Sequence, residues 1–162
     1  LLLFLLFYTS SMGKEVEITG YSFMAPDTWQ SSKPSSNMRV AQFDAPGEEK
    51  MAEVVFYHFG PGGAGGVKAN VDRWMKQFEQ AEGESVKTLI IGETEVTYAQ
   101  AYGTFLSGTP FGPKTPKPGF AMLAAIVQGK EGAIFIKMTG PKDAVDSNSA
   151  ALKTMVEDCL RK

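Results

Sequence analysis

Two amphipathic helical segments interrupt a chain that otherwise consists of short apolar runs separated by turns. The first segment runs from Val67 to Gln80 and repeats apolar residues at the spacing of one helix face. Those residues are Val67, Val71, Trp74, Met75 and Phe78. The second segment closes the chain, with an apolar stripe from Leu152 to Leu160. Each helix needs an apolar surface to cover, so the rest of the chain is expected to supply a sheet.

The remaining apolar runs predict strands. Three precede the first helix and four lie between the helices, at 20–26, 38–43, 52–59, 86–91, 94–104, 120–128 and 133–139. Tight connections such as Gly92-Glu93 and Gly129 to Gly132 make neighbouring strands antiparallel. The expected fold class is therefore α+β, an antiparallel meandering sheet of about six or seven strands with a helix on each face.

The composition limits the function classes. The chain has 162 residues, with 16 Lys and Arg against 18 Asp and Glu, and no basic block, which argues against nucleic-acid binding. The single cysteine, Cys159, excludes an intramolecular disulfide, and its place on an apolar stripe predicts a buried, inert thiol. The single histidine, His58, makes neither a histidine-based metal site nor a recognisable catalytic triad. We predict no cofactor, no metal site and no catalytic residue, and favour a protein that is not an enzyme.

The first thirteen residues begin with an uninterrupted apolar run, Leu1 to Tyr8. The run is far shorter than the ~20 residues that span a bilayer, but it suits the ~7–15 residues of a signal-peptide hydrophobic region. Small residues at Ser11 and Gly13 suit cleavage after Gly13. The alternative is a hydrophobic first strand. We predict a truncated signal peptide at 1–13, a single domain at 14–162, export to the periplasm or extracellular space, and no stable membrane span after processing.

A glycine-rich segment joins the third predicted strand to the first helix. Its glycines satisfy the pattern G-x-G-x-x-G at a helix N-terminus, where a phosphate can bind. The chain then continues into hairpins and has no Walker sequence, so neither a dinucleotide-binding unit nor a P-loop fits. A flexible crossover is the favoured interpretation. The alternative is a phosphate site formed by Gly60, Gly62, Gly63, Gly65, Gly66 and Lys68.

The segment Ser107 to Gly119 is rich in glycine and proline and is predicted to be a long loop. Its aromatic residue Phe111 and its basic residues Lys114 and Lys117 are candidates for contact with a protein partner. The alternative is a mobile hairpin connection with no partner.

The motif Phe23-Met-Ala-Pro26-Asp-Thr-Trp29 resembles the F-x-x-P-x-x-W entry of PsbP-like proteins. The strands that follow, with Met38-Arg39 and Val54 to Tyr57, extend the likeness, and Gly65 to Phe78 resembles a motif of small exported bacterial proteins. The resemblance implies an α-β-α sandwich with no defining catalytic residues. We therefore predict a non-catalytic exported accessory or binding protein. The alternative is a phosphate-ligand-binding enzyme or sensor that uses the loop 60–66.

Overall fold

The computed structural model describes residues 14–162, and the predicted signal peptide at 1–13 lies outside the described residues. Within 14–162 the chain forms nine strands and two helices. In chain order they are β1 (Lys14–Ile18), β2 (Tyr21–Ala25), β3 (Gln30–Ser32), β4 (Arg39–Ala45), β5 (Ala52–His58), α1 (Val67–Met75), β6 (Phe78–Ile91), β7 (Thr94–Ser107), β8 (Thr115–Gly129), β9 (Gly132–Pro141) and α2 (Lys142–Leu160).

Seven of the strands form one antiparallel sheet, in the order β3-β4-β5-β9-β8-β7-β6. Strands β6 to β9 are a continuous meander, and β9 returns to pair with β5. Strands β1 and β2 form a separate hairpin. The expected α+β class with an antiparallel sheet is thus confirmed. Neither helix in the described part of the chain combines the length and apolar character needed to cross a membrane.

Alternate residues along the central strands belong to two different hydrophobic cores, as the two-residue period of a strand requires. On β9, Ile136 and Met138 pack with residues of α2 and of the β1–β2 hairpin. Phe135 packs in the other core with Trp74 of α1, where the two rings meet edge to face at 6.0 Å. The sheet therefore has no fully solvated face at its centre.

The first helix is shorter than predicted, and the strand after it is longer. The helix ends at Met75 rather than Gln80, and Phe78 already pairs with Phe105 of β7. The backbone N–H of Leu106 donates to the carbonyl of Gln77 at 2.8 Å, which fixes the start of β6. Pairing with β7 therefore outweighs the helical pattern from residue 77 onward.

The predicted extents of other strands and loops also need correction. Gly83 lies inside β6 with a φ of 58°, before the predicted start of that strand at residue 86. The predicted loop 107–119 is shorter in the structure, because Ser107 pairs with Thr115 and only residues 108–114 connect β7 to β8. Strands β1 and β3 were not predicted.

Candidate functional site

A groove of about 480 Å³ opens on the side of the sheet where Phe105, Tyr57 and Lys137 point. It forms because Val55 and Tyr57 of β5 lie beside Lys137 and Phe135 of β9, so residues of one parity share this face. The full lining is Arg39, Lys50, Met51, Glu53, Val55, Tyr57, Gln77, Phe105, Ser107, Gly108, Lys117, Phe120, Lys137, Thr139, Gly140 and Pro141. Polar groups thus surround an aromatic and aliphatic floor.

Lys137 is the central cation of this groove. Its Nζ donates a hydrogen bond to Oε1 of Gln77 at 2.5 Å, and it lies 5.7 Å from the ring centroids of both Trp74 and Phe105. Burial, followed by the positive charge of Arg73, lowers the pKa of Lys137 to about 8. Among residues 14–162 no carboxylate forms an ion pair with it. The ammonium is therefore held by a neutral amide and two aromatic faces.

Arg39, by contrast, has a carboxylate partner. It pairs with Glu53 at 2.9 Å and also donates to Oε1 of Gln42 at 3.0 Å. The side-chain amide of Gln42 in turn donates to Glu53 at 3.0 Å. This triangle neutralises Arg39 and the one carboxylate that lines the groove, so the remaining charge there comes from lysines.

The other wall of the groove is aromatic. Phe105 and Phe120 stack almost parallel, with ring centroids 6.2 Å apart and an interplanar angle of 3°. The Nζ of Lys117 lies 5.6 Å from the Phe120 centroid. Burial raises the pKa of Tyr57, so its phenol stays protonated and can donate a hydrogen bond at neutral pH. The arrangement suits binding of an anion that has an apolar part.

The predicted phosphate-site glycines lie together in the connection between β5 and α1, and Lys68 follows in the first turn of the helix. Gly60, Gly62 and Gly65 have positive φ values, as a sharp crossover requires. The side-chain amide of Asn70 donates to the carbonyls of Ala64 and Gly66, each at 2.9 Å. These bonds tie the loop to the helix that follows it.

Lys68 is 2.5 Å from the carboxylate of Asp72, one turn further along α1, and both side chains are exposed. The lysine thus already has a counter-charge. The phosphate site stays a prediction.

The predicted partner-binding residues are divided between two places. Lys117 lines the groove, whereas Phe111 and Lys114 lie in the 108–114 connection. Phe111 is completely exposed, and Lys114 donates to the carbonyl of Thr109. Partner binding stays a prediction for all three.

Neither the lone histidine nor the lone cysteine lines the groove. His58 ends β5, with its Nε2 3.0 Å from the carbonyl oxygen of Glu131 in the β8–β9 turn. Cys159 is half-buried and packs against the core under α2. In the described range, no group of three or more His, Cys, Asp or Glu residues is arranged to hold a metal ion.

Sequence reasoning missed the groove and its principal residue, Lys137. A signal was present, because Lys137 interrupts the apolar run of the predicted strand 133–139. A charged side chain that is buried in such a strand needs hydrogen-bond partners or a counter-ion. Its partners Gln77 and Trp74 are about 60 residues away in the chain. Local sequence spacing therefore could not reveal which residues surround Lys137.

The comparison with solved structures shows a PsbP-like fold, as the sequence motif predicts. The solution structure of cyanobacterial PsbP (CyanoP) from Synechocystis sp. PCC 6803 matches with a TM-score of 0.53 and 16% identity, covering 85% of this chain and 84% of that chain. The crystal structure of PA94 from Pseudomonas aeruginosa, a protein of unknown function, matches with a TM-score of 0.50 and 14% identity, covering 90% and 94%. At such identities the likeness concerns the fold alone. The chain matches no protein-family model and no curated protein sequence.

Proposed function

We propose that the protein is a non-catalytic, exported accessory protein that acts by binding a protein partner. The observation that carries this proposal is the complete exposure of the Phe111 ring at the tip of the β7–β8 connection. A solvated phenyl ring contributes nothing to the core, and aromatic side chains are enriched where proteins bind one another. Lys114, in the same connection, would provide a charged group at the rim of this surface.

The fold supports a non-catalytic role. Cyanobacterial PsbP and the suggested regulator PA94 share this architecture. We also propose that the fold is a sandwich with a helix on each face of the sheet. This arrangement is supported by the alternation on β9, where Phe135 packs with α1 and Ile136 packs with α2.

Export is supported by the apolar run Leu1 to Tyr8 and by the small residues after it. The test is mass spectrometry of the N-terminus of the protein isolated from each fraction of its host. A mature chain that starts at Lys14 in the exported fraction would support export and cleavage. A chain that keeps the run and stays in the cytosolic fraction would contradict both.

Partner binding is tested by chemical crosslinking and co-purification from that same fraction, with the captured protein identified by mass spectrometry. Phe111→Ser should reduce its recovery by about tenfold, because exposed aromatic anchors carry much of an interface's energy. Met38→Ser is the matched control, since Met38 is also a large exposed apolar residue, with 64% of its surface accessible. Equal recovery with Phe111→Ser and the wild type would contradict the proposal, as would a turnover activity that His58→Ala abolishes.

A further inference from the structure

We propose that the groove around Lys137 binds a small organic carboxylate that carries an apolar body. The groove and the exposed Phe111 ring are separate features, so this inference goes beyond the proposed partner binding and does not depend on it. Three observations carry it: an ammonium that has no counter-ion among residues 14–162, hydroxyl donors on the same lining, and an aromatic wall.

The charge balance of the groove favours an anion. Arg39, Lys50, Lys117 and Lys137 line it against the single carboxylate of Glu53. Arg39 and Glu53 already neutralise each other at 2.9 Å. Three lysines remain, on a chain whose net charge is −2. The groove is thus locally basic on an acidic protein, and an anion is the ligand that this charge selects.

Lys137 has bonding capacity to offer. An ammonium has three N–H donors, and the protein acceptor recorded for Nζ is Oε1 of Gln77. The rings of Trp74 and Phe105 stabilise the charge by cation–π contacts but accept no strong hydrogen bond. A carboxylate would replace water at the free N–H groups and offset the cost of burying the charge.

Other donors lie on the same lining. Thr139 lies on β9, the strand that contains Lys137, and Tyr57 lies on the neighbouring strand β5. The strand register places them on opposite sides of Lys137, Tyr57 towards Phe135 and Thr139 towards Glu53. A carboxylate bound to the ammonium therefore has a neutral hydroxyl donor towards either end of the groove.

The shape and the aromatic wall select an organic carboxylate rather than inorganic phosphate. Recognition of phosphate commonly uses an uncommitted bidentate guanidinium, whereas the charge of Arg39 is already balanced by Glu53 through Nη1. The stacked rings of Phe105 and Phe120 instead offer apolar surface to a ligand body. The volume of about 480 Å³ is within the ~300–1,000 Å³ range of small-molecule sites.

Isothermal titration of the full chain with 4-phenylbutyrate tests the proposal, because this probe joins one carboxylate to one phenyl ring. The matched probe is 4-phenylbutyramide, which has the same shape without the charge. We expect saturable binding of the carboxylate and affinity at least tenfold weaker for the amide, as the loss of one charge-assisted hydrogen bond predicts. Inorganic phosphate and an acidic peptide of alternating glutamate and leucine complete the series.

Lys137→Met should weaken binding of 4-phenylbutyrate at least tenfold. The matched control is Lys153→Met, since the Nζ of Lys153 also lies over an aromatic ring, 5.7 Å from the Tyr98 centroid, but on α2. This control should bind as the wild type does. Circular dichroism checks that both variants are folded, and Lys137→Gln serves if the methionine variant is not.

Nuclear magnetic resonance of the lysine side chains gives an independent readout. Bound carboxylate should raise the pKa of Lys137 above its value in the free protein, because a nearby negative charge favours the protonated amine. Arg73, Arg39 and Glu53 act on Lys137 in both states, so their effect cancels in the comparison.

Several results would overturn the proposal. Equal binding of the amide and the carboxylate would show that charge is not recognised, and undiminished binding by Lys137→Met would place the site elsewhere. The absence of 4-phenylbutyrate binding, or tighter binding of phosphate, would contradict the ligand class. Binding of the acidic peptide alone would make the groove a protein-docking site. None of these results would alter the test of partner binding at Phe111, so the two proposals fail separately.

Discussion

The indole N–H of Trp29 donates a hydrogen bond of 2.8 Å to the side-chain oxygen of Asn148, a residue 119 positions away in the sequence. Both side chains are buried. The amide of Asn148 also donates to the carbonyls of Pro46 and Ala144, each at 2.8 Å. The side chain of Asn148 thus links α2 to Trp29, just before β3, and to Pro46, just after β4.

Asn148→Ala should lower the free energy of unfolding by about 2–4 kcal/mol, because it removes three hydrogen bonds and leaves the Trp29 N–H and the Pro46 carbonyl without their partner. Urea unfolding followed by Trp fluorescence measures the change. Ser147→Ala is the neighbouring control, since Ser147 is exposed on the same helix. A loss no larger than that of the control would show that the network contributes nothing.

Lys137→Met should stabilise the protein at pH 7 by roughly 1–3 kcal/mol, because folding there buries a charged amine. The pKa of Lys137 falls from 10.5 in the unfolded chain to about 8 in the fold. Between those values the unfolded chain binds more protons, so wild-type stability rises with pH. Below pH 8 the penalty is complete.

The difference in unfolding free energy between Lys137→Met and the wild type is the quantity to measure, at pH 7 and again near pH 10. It should shrink across this range, since the folded wild type loses the Lys137 proton first. Lys153→Met provides the control for general charge effects. A difference that is constant with pH would contradict the burial of a charged Lys137.

Gly132→Ala should be more costly than an ordinary substitution at a positive φ. Gly132 has a φ of 108°, and a Cβ there would lie 2.5 Å from the carbonyl oxygen of Gly60. The expected loss of unfolding free energy is about 2–4 kcal/mol. Gly20→Ala is the matched control, because its φ is 83° and its Cβ would meet nothing within 4 Å. Equal losses of unfolding free energy in the two variants, measured by thermal unfolding, would show that Gly132 is not packed tightly against Gly60.

Cys159 should react slowly with iodoacetamide in the folded protein. Burial raises the pKa of its thiol, although a backbone contact with Ser22 and the charge of Lys162 act in the opposite direction. Since the thiolate is the reacting form, the rate should be at least about tenfold below that of the urea-unfolded chain at pH 8. Equal rates in the two states, measured by mass spectrometry, would contradict this. Cys159→Ser provides the unreactive blank.

The end of α1 and the start of β6 show where sequence patterning reaches its limit. Phe78 fits the helical spacing of Val67, Val71 and Trp74, yet it pairs with Phe105 in the sheet. Strand β6 lies at the sheet edge and is exposed over most of its length, so it has no clear inside-outside alternation to reveal it. The central strands were predictable because their apolar runs are long and bounded by turns.

The first strand illustrates the opposite case. Val16 and Ile18 alternate with charged residues from Lys14 to Ile18, which is a strand pattern that our prediction overlooked. Lys137 differs again, because its environment depends on Trp74 and Gln77 closing over the sheet. The alternation of polar and apolar residues along a strand can assign a side chain to one face of the sheet. Whether that face is exposed to solvent depends on how the whole chain packs.

The hairpin of β1 and β2 pairs with no other strand and is held chiefly by the apolar side of α2, through residues such as Phe23 and Leu152. An isolated hairpin is marginal in water. During synthesis the hairpin can therefore complete its core only after α2 has left the ribosome, although Phe23 also contacts Phe56 of the sheet.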